Sequence, residues 1–499
     1  MPKLFSALTF GRLYGIICLD FVFKELDMLV GREQECRDLQ LLLESDKSEF
    51  VAVYGRRRVG KTFLIREAYE YRFAFEHTGL KDGTTVQQLR EFGESLKRYG
   101  MRRKRTPRDW QMAFEMLEEL LAARTDMGKK VVFLDECPWM DTPRSGFIGA
   151  LDHFWNGWAT MRKDIVLIIC GSAASWVASK IDEDVGGLHN RLTRHIYLRP
   201  FTLHECDLFA QAKGLVMNRA QTLECYMILG GVPYYWDLLR KDMGLSQNID
   251  RMLFARGGDL NDEYDHLYTA LFRKPEPYLK IVCALGTKSI GMSRGELIES
   301  SGIAGNGKLT RILKELEQCD FIRSYSIPGR EKNGCIYQLM DNFTLFYFRF
   351  MHGVRNPMPN FWTASETTQR VRIWCGLAFE RVALQHIAQI KRKLGIAGVI
   401  TRLYAWRHRD DDGDGGVQID MVIERDDRVT NLCEVKYTAS PFEISDEYDA
   451  RLRRKREVYV RETGTRNAVH LTMISANGVK RNANWNDIQS EVTLDDFFI

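Results

Sequence analysis

Three short, unbroken apolar runs dominate the first third of the chain: Phe50-Val51-Ala52-Val53-Tyr54, Val131-Val132-Phe133-Leu134 and Ile165-Val166-Leu167-Ile168-Ile169-Cys170. Runs of this length, rich in β-branched residues, are the signature of strands covered on both faces. The first is followed by a helical pattern (Phe63, Leu64, Ala68), and such alternation predicts an α/β domain with a parallel sheet. The period then changes. Residues 201–272 read as helical, with Gly230-Gly231-Val232-Pro233 as a break. Tyr278–Leu285 is an apolar-periodic helix, Ser293-Arg294-Gly295-Glu296 has the form of a capping box that starts a second, and Asn306–Cys319 is a third with Leu309, Ile312, Leu313 and Leu316 on one face. Phe321–Tyr325 and Gly334–Leu339 read as two strands joined by a polar turn.

Three helices and a hairpin predict a winged helix-turn-helix over residues 273–355. Its third helix carries Lys308, Arg311 and Lys314, and the hairpin tip Arg330 and Lys332, so contact with nucleic-acid phosphates or bases is one use of it and protein packing another. The aromatic run Asn342–Phe350 is spaced for a buried connecting helix rather than for a platform on which single-stranded bases stack. Asn356-Pro357-Met358-Pro359-Asn360 marks a linker. Beyond it, Gly376–Leu394 is a helical pattern, and Val417–Glu424 and Val429–Tyr437 form a strand–turn–strand unit.

Length and composition narrow the class. A chain of 499 residues holds about three domains. With 45% apolar and 28% charged residues it is neither disordered nor collagen-like. The net charge of +4 neither requires nor excludes nucleic acid, so local clusters decide. The 11 cysteines contain no CxxC pair, which argues against a zinc site and for thiols in a reducing, cytoplasmic setting. No apolar run approaches the about 20 residues of a membrane span. The apolar stretch Leu13–Phe23 is interrupted by Asp20 and lacks a clean cleavage pattern; residues 1–27 read as an extension, with Met28 an alternative start.

The first run leads directly into Gly55-Arg56-Arg57-Arg58-Val59-Gly60-Lys61-Thr62, which is GxxxxGK[ST] between a strand and a helix. The glycines let backbone N–H groups curl toward phosphate oxygens, and the helix N-terminus adds a positive field. Lys61 can reach the β- and γ-phosphates and Thr62 can ligate Mg²⁺. Asp135 and Glu136, at the C-terminal end of the second run, are the expected metal-holding acid and the residue that orients or deprotonates the attacking water. Ser172, at the end of the third run, is a candidate contact for the γ-phosphate or that water. Arg191 and Arg194 follow a Gly-led loop at residues 186–190, and Arg191 is the candidate arginine finger, in cis or from a neighbouring subunit.

A second constellation lies near the C-terminus. Glu434 and Lys436 point to the same face of a strand. Asp420 stands opposite Glu434 if the intervening turn has three residues, and opposite Cys433, on the wrong face, if it has two. In the first case two carboxylates can hold a divalent metal that polarises a phosphodiester, with Lys436 positioning the water. The alternative is a solvent-facing hairpin of paired charges. The basic stretch Arg451–Arg456 with Arg461, and Met101–Arg105, read equally as phosphate contacts or as solvated faces.

Leu29-Val30-Gly31-Arg32-Glu33, the arginine-rich phosphate loop, Asp135-Glu136, Gly171-Ser172 and Leu198-Arg199-Pro200-Phe201 together resemble the archaeal-type AAA+-related P-loop ATPases, which also occur in bacteria, over residues 28–240. The resemblance implies a core at 28–200 and a helical lid at 201–272. It also puts Arg32 and Glu33 near the adenine. Residues 361–499 resemble the PD-(D/E)XK restriction-endonuclease-like domain often found at the C-terminus of that family, with Ile419-Asp420 in place of Pro-Asp. That resemblance implies that Glu380 joins the metal shell, with Mg²⁺ or Mn²⁺ as the ion. The expected protein is an ATP-hydrolysing, DNA-directed enzyme with a metal-dependent nuclease, off the membrane and able to form a homo-oligomer. A nucleotide-gated DNA-binding regulator that does not cut is the alternative, and a protein-interaction ATPase without nucleic acid is a third.

Overall fold

The computed structural model describes residues 29–102, 105–125, 128–172, 174–177, 191–272, 274–326, 335–354, 358, 360–408 and 416–499. The amino-terminal extension, the Gly-led loop at 186–190, the hairpin tip with Arg330 and Lys332, and parts of the 101–105 and 356–360 segments lie outside these residues. The chain divides into two compact units, one running through Gly55 and resuming at Gly60–Arg199, the other comprising Arg56–Val59 and Pro200–Ile499.

The three apolar runs of the first unit become β1 (Glu49–Tyr54), β3 (Lys130–Asp135) and β4 (Ile165–Gly171), joined by β2 (Phe75–Thr78) and β5 (Arg194–Tyr197). All pair in parallel in the order β2-β3-β4-β1-β5. Residues of β3 and β4 are buried without exception, because helices cover the sheet and leave no wet face. The helices of eight residues or more are α1 (Glu33–Gln40), α2 (Lys61–Ala68), α3 (Thr85–Arg98), α4 (Trp110–Ala123) and α5 (Phe147–Gly157). Thr84 and Gln87 form a capping box at α3 and Asp109 caps α4. Phe92, Trp110, Phe114, Phe147 and Phe154 fill the core above the sheet.

The second unit opens with α6 (Leu203–Ala212), α7 (Arg219–Leu229) and α8 (Glu263–Leu271). Three further helices follow: α9 (Glu276–Gly286), α10 (Arg294–Ser301) and α11 (Gly307–Gln318). The Ser293–Glu296 capping box is present at α10, with the Ser293 N–H donating to Glu296 Oε2 at 2.7 Å. A three-stranded antiparallel sheet β6 (Met292–Ser293), β7 (Ile322–Ser326) and β8 (Cys335–Leu339) has the order β6-β8-β7. The two-residue β6, too short to leave a periodic trace, was not anticipated. The aromatic run is the buried connection expected: α12 (Asn342–Phe346) and one π-helical turn bury Phe343, Phe346 and Phe350.

The last segment is a mixed sheet in the order β13-β12-β11-β10-β9. Here β9 (Thr401–His408), β10 (Val417–Arg425) and β11 (Val429–Lys436) are antiparallel, whereas β12 (Ala468–Ser475) and β13 (Ser490–Thr493) run parallel to β11. The helix expected over 376–394 is two helices, α13 (Gln369–Gln385) and α14 (Ile387–Lys393), broken at His386. A long crossover helix, α15 (Asp446–Thr463), connects β11 to β12, as a parallel pair requires. One hydrophobic cluster runs from Phe201 to Phe498, so the helical, three-stranded and mixed-sheet segments share a core.

Candidate functional sites: a phosphate loop and an acid–lysine cluster

The parallel register brings the C-terminal ends of β1, β3 and β4 together, with Tyr54 opposite Gly171 and Leu134 opposite Ile169. Gly55 follows β1 at φ 149°, and a Cβ there would lie 2.2 Å from the Leu198 carbonyl oxygen, so only glycine passes. Gly60, at φ 91°, has open space around it and is required by conformation alone. The buried Lys61 donates to the Gly55 carbonyl at 3.0 Å. The Thr62 hydroxyl donates to Asp135 Oδ2 at 2.9 Å. These two oxygens, at the first turn of α2 and the end of β3, suit a hydrated divalent ion that binds a triphosphate. Glu136 takes the left-handed conformation, φ 49° and ψ 47°. Its N–H donates to Asp135 Oδ1 at 2.9 Å, and its carboxylate accepts the Ser172 hydroxyl at 3.1 and 3.2 Å. Burial pushes the Glu136 carboxyl above its ordinary range.

The arginines of the loop go elsewhere. Arg56–Val59 groups with the second unit. There Arg56 pairs with Asp341 and lies over the Phe321 ring. Arg58 pairs with Glu263 at 2.5 Å and stacks on Tyr234, and Arg57 donates to the His266 carbonyl at 3.3 Å. The guanidinium groups of Arg56 and Arg58 are thus taken up by acids of the second unit. Val59 is buried. The structure does not bring Arg191 to the loop either. It is exposed and precedes β5, whose first residue Arg194 lies opposite Val51, so it falls at the end of the sheet away from Gly55. Arg194 pairs with Asp38. Arg32 is buried and donates to the Arg199 carbonyl, and Glu33 is exposed.

In the second unit the turn between β10 and β11 has three residues, 426–428, with Arg428 at φ 66°. Met421 lies opposite Cys433 and Val422 opposite Leu432, the register in which Asp420 and Glu434 face one another. Glu434 is buried at 3% exposure. Its Oε1 pairs with Lys455 at 2.5 Å, its Oε2 accepts the Tyr448 hydroxyl at 3.1 Å, and Lys436 Nζ is 3.6 Å from Oε2. Asp420 Oδ2 accepts the Val435 N–H at 3.1 Å. Burial, then the charge of Glu434, raises the Asp420 carboxyl. Burial, then the charge of Asp420, pushes Glu380 on α13 up to about 7. Asp420 and Glu434 form a hard-oxygen pair that fits Mg²⁺ or Mn²⁺. Among the described residues, no three His, Cys, Asp or Glu side chains converge closely enough to cage a metal, so solvent would complete the shell. Tyr448 was missed by sequence reasoning, and Lys455, read there only as part of the basic stretch Arg451–Arg456, was not paired with Glu434. Their seven-residue spacing, two turns along one helix face, was the available signal.

Residues 29–239 match an ATPase domain that occurs predominantly in Archaea. An uncharacterised protein of Methanocaldococcus jannaschii is 26% identical over 433 residues, covering 82% of this chain and 88% of that protein. An uncharacterised ATP-binding protein of the same organism is 36% identical over 58 residues, 12% of this chain and 81% of its own length. Among solved structures, the Walker-type ATPase of Pyrococcus abyssi covers 64% of this chain and 96% of its own at 16% identity and a TM-score of 0.45. The ORC2 protein of Aeropyrum pernix covers 63% and 92% at 14% identity and a TM-score of 0.41. By the family match, residues 29–239 form an archaeal-type ATPase domain. No described helix is long and apolar enough to cross a membrane.

Proposed function

We propose that this protein binds and hydrolyses ATP and couples its nucleotide state to DNA, on which a metal-dependent phosphodiesterase site in the second unit acts. The observation that carries the ATPase reading is the Thr62–Asp135 hydrogen bond at 2.9 Å beside Glu136, whose carboxylate is held by Ser172. Lys61 exchanges its carbonyl partner for phosphate oxygens, and the N–H groups of the loop and of the first turn of α2 bind the rest. Bound Mg²⁺ supplies neutralisation of the phosphate charge. Thr62 and Asp135 hold its shell, and Glu136, made more basic by burial, orients the attacking water and takes its proton. Arg191 acts, on this reading, only on a neighbouring copy, which makes a homo-oligomer part of the proposal.

The DNA reading draws on the three helices and three-stranded sheet of residues 276–339, read as a winged helix whose α11 exposes Lys308, Arg311 and Lys314. The nuclease reading draws on the hairpin register that pairs Asp420 with Glu434, on Lys436 two residues along, and on Glu380 within electrostatic reach. A divalent metal there supplies polarisation of the phosphodiester. Asp420 and Glu434 bind it, and Lys436 positions the water. A second reading, a nucleotide-gated DNA-binding regulator that does not cut, is favoured by the ion pair that occupies Glu434.

The test uses the purified full chain. Lys61→Ala should abolish ATP turnover, and unchanged turnover would remove the ATPase assignment. With Mn²⁺ and single- or double-stranded DNA, the wild type should cleave and Lys436→Ala should not, while its ATPase persists. Cleavage that survives Lys436→Ala would show another site at work, and no cleavage by the wild type, with DNA-stimulated ATPase, selects the regulator.

A further inference from the structure

Glu434 is over-supplied with partners for a metal ligand, two of them positive. Lys455 sits on Oε1, and Lys436 and the Tyr448 hydroxyl approach Oε2. The Glu434 side chain is 4% exposed, whereas the Lys455 side chain is 23% exposed, so the lysine is the member of the pair that can leave for solvent. Its register is set from below: Tyr448, Leu452, Lys455 and Tyr459 fall on one face of α15, and buried Leu452 and Tyr459 lock that face onto the sheet. An ammonium and a divalent ion cannot share Oε1, because two cations at contact distance repel strongly in a poorly hydrated site. A metal that takes Oε1 of Glu434 must therefore expel Lys455, and one that takes Oε2 meets the charge of Lys455 across the same carboxylate.

We propose that Lys455 is a displaceable counter-ion that neutralises Glu434 in the metal-free protein and sets the threshold for divalent metal at the Asp420–Glu434 pair. The proposal rests on the metal-site reading above and adds a regulation of that site. Lys455 is a positioning residue. It makes the empty site cheap to maintain, since a buried carboxylate without a partner destabilises the fold, and it keeps the site closed to metal at low concentration.

The test is calorimetric titration of Mn²⁺ into the nucleotide-free full chain, because the phosphate loop takes its metal together with nucleotide. Asp420→Asn identifies the heat that belongs to this site. Lys455→Met should tighten that binding about tenfold or more, and Lys455→Arg, which keeps the charge, should not. Lys455→Gln gives the same tightening should the methionine variant fold poorly, and the melting temperature without metal separates the two cases. Equal affinities in wild type and Lys455→Met, both lost in Asp420→Asn, would overturn the counter-ion role and leave the metal site standing. Heat that Asp420→Asn does not change would overturn the metal site as well.

Discussion

Glu136 occupies a backbone conformation that few non-glycine residues adopt, φ 49° immediately after a buried strand. The distortion is held by its own N–H bonded to Asp135 and by the Ser172 hydroxyl on its carboxylate. The result is a carboxylate aimed across the end of the sheet rather than along it. A glutamine keeps the shape and the Ser172 contact but cannot take a proton. Glu136→Gln should therefore retain ATP binding while single-turnover hydrolysis falls by about 10²–10⁴-fold. Nucleotide-binding calorimetry beside a rapid-quench assay measures both, and wild-type hydrolysis in the variant would exclude Glu136 as the base. At this scale the motif residues were legible because their chemistry demands fixed types at fixed spacing: two glycines, a lysine, a hydroxyl and a strand-end acid. The arginines between them were not. Nothing in Gly55–Thr62 reveals that Arg56 and Arg58 have acid partners at positions 341 and 263, some two hundred residues or more along the chain.

Among the elements, the junction of α13 and α14 is the most instructive. After Gly376 the apolar period runs on through 377–394 without a Gly or Pro, which is why one helix was expected. The break at His386 comes from a tertiary hydrogen bond: the N–H of Leu203, at the start of α6, donates to Nε2, and Nδ1–H donates to the Val382 carbonyl. Both ring nitrogens are thus used in the neutral tautomer, and burial lowers the group from 6.5 to about 4. The folded state binds this proton less readily than the unfolded state. The contribution of His386 is accordingly complete above about pH 6.5 and is lost as the pH falls toward 4, a loss of about 3 kcal/mol. Urea unfolding of the wild type should weaken over that window, and His386→Gln should flatten the slope. An unchanged slope would assign the acid sensitivity to other groups. The β10–β11 hairpin teaches the converse. Strand pattern and charge spacing narrowed the register to two possibilities, and the turn of three residues ending at Arg428, φ 66°, selected the one that unites Asp420 with Glu434.

For the molecule as a whole, periodicity and motif were enough to announce a parallel α/β unit around a phosphate loop and, far along the chain, a strand pair bearing acids and a lysine. Those features are local: a strand is recognised by its own residues, and a phosphate loop by eight consecutive ones. What depended on the folded chain was every relation between distant residues. The assignment of Arg56–Val59 to the second unit, the position of Arg191 beyond the far end of β5, the one core that takes in residues from Phe201 to Phe498, and the ammonium of Lys455 on Glu434 are all of this kind. Charged side chains on long stems find partners by proximity in space, and proximity is set by how strands order and helices cross, which no stretch of neighbouring residues encodes.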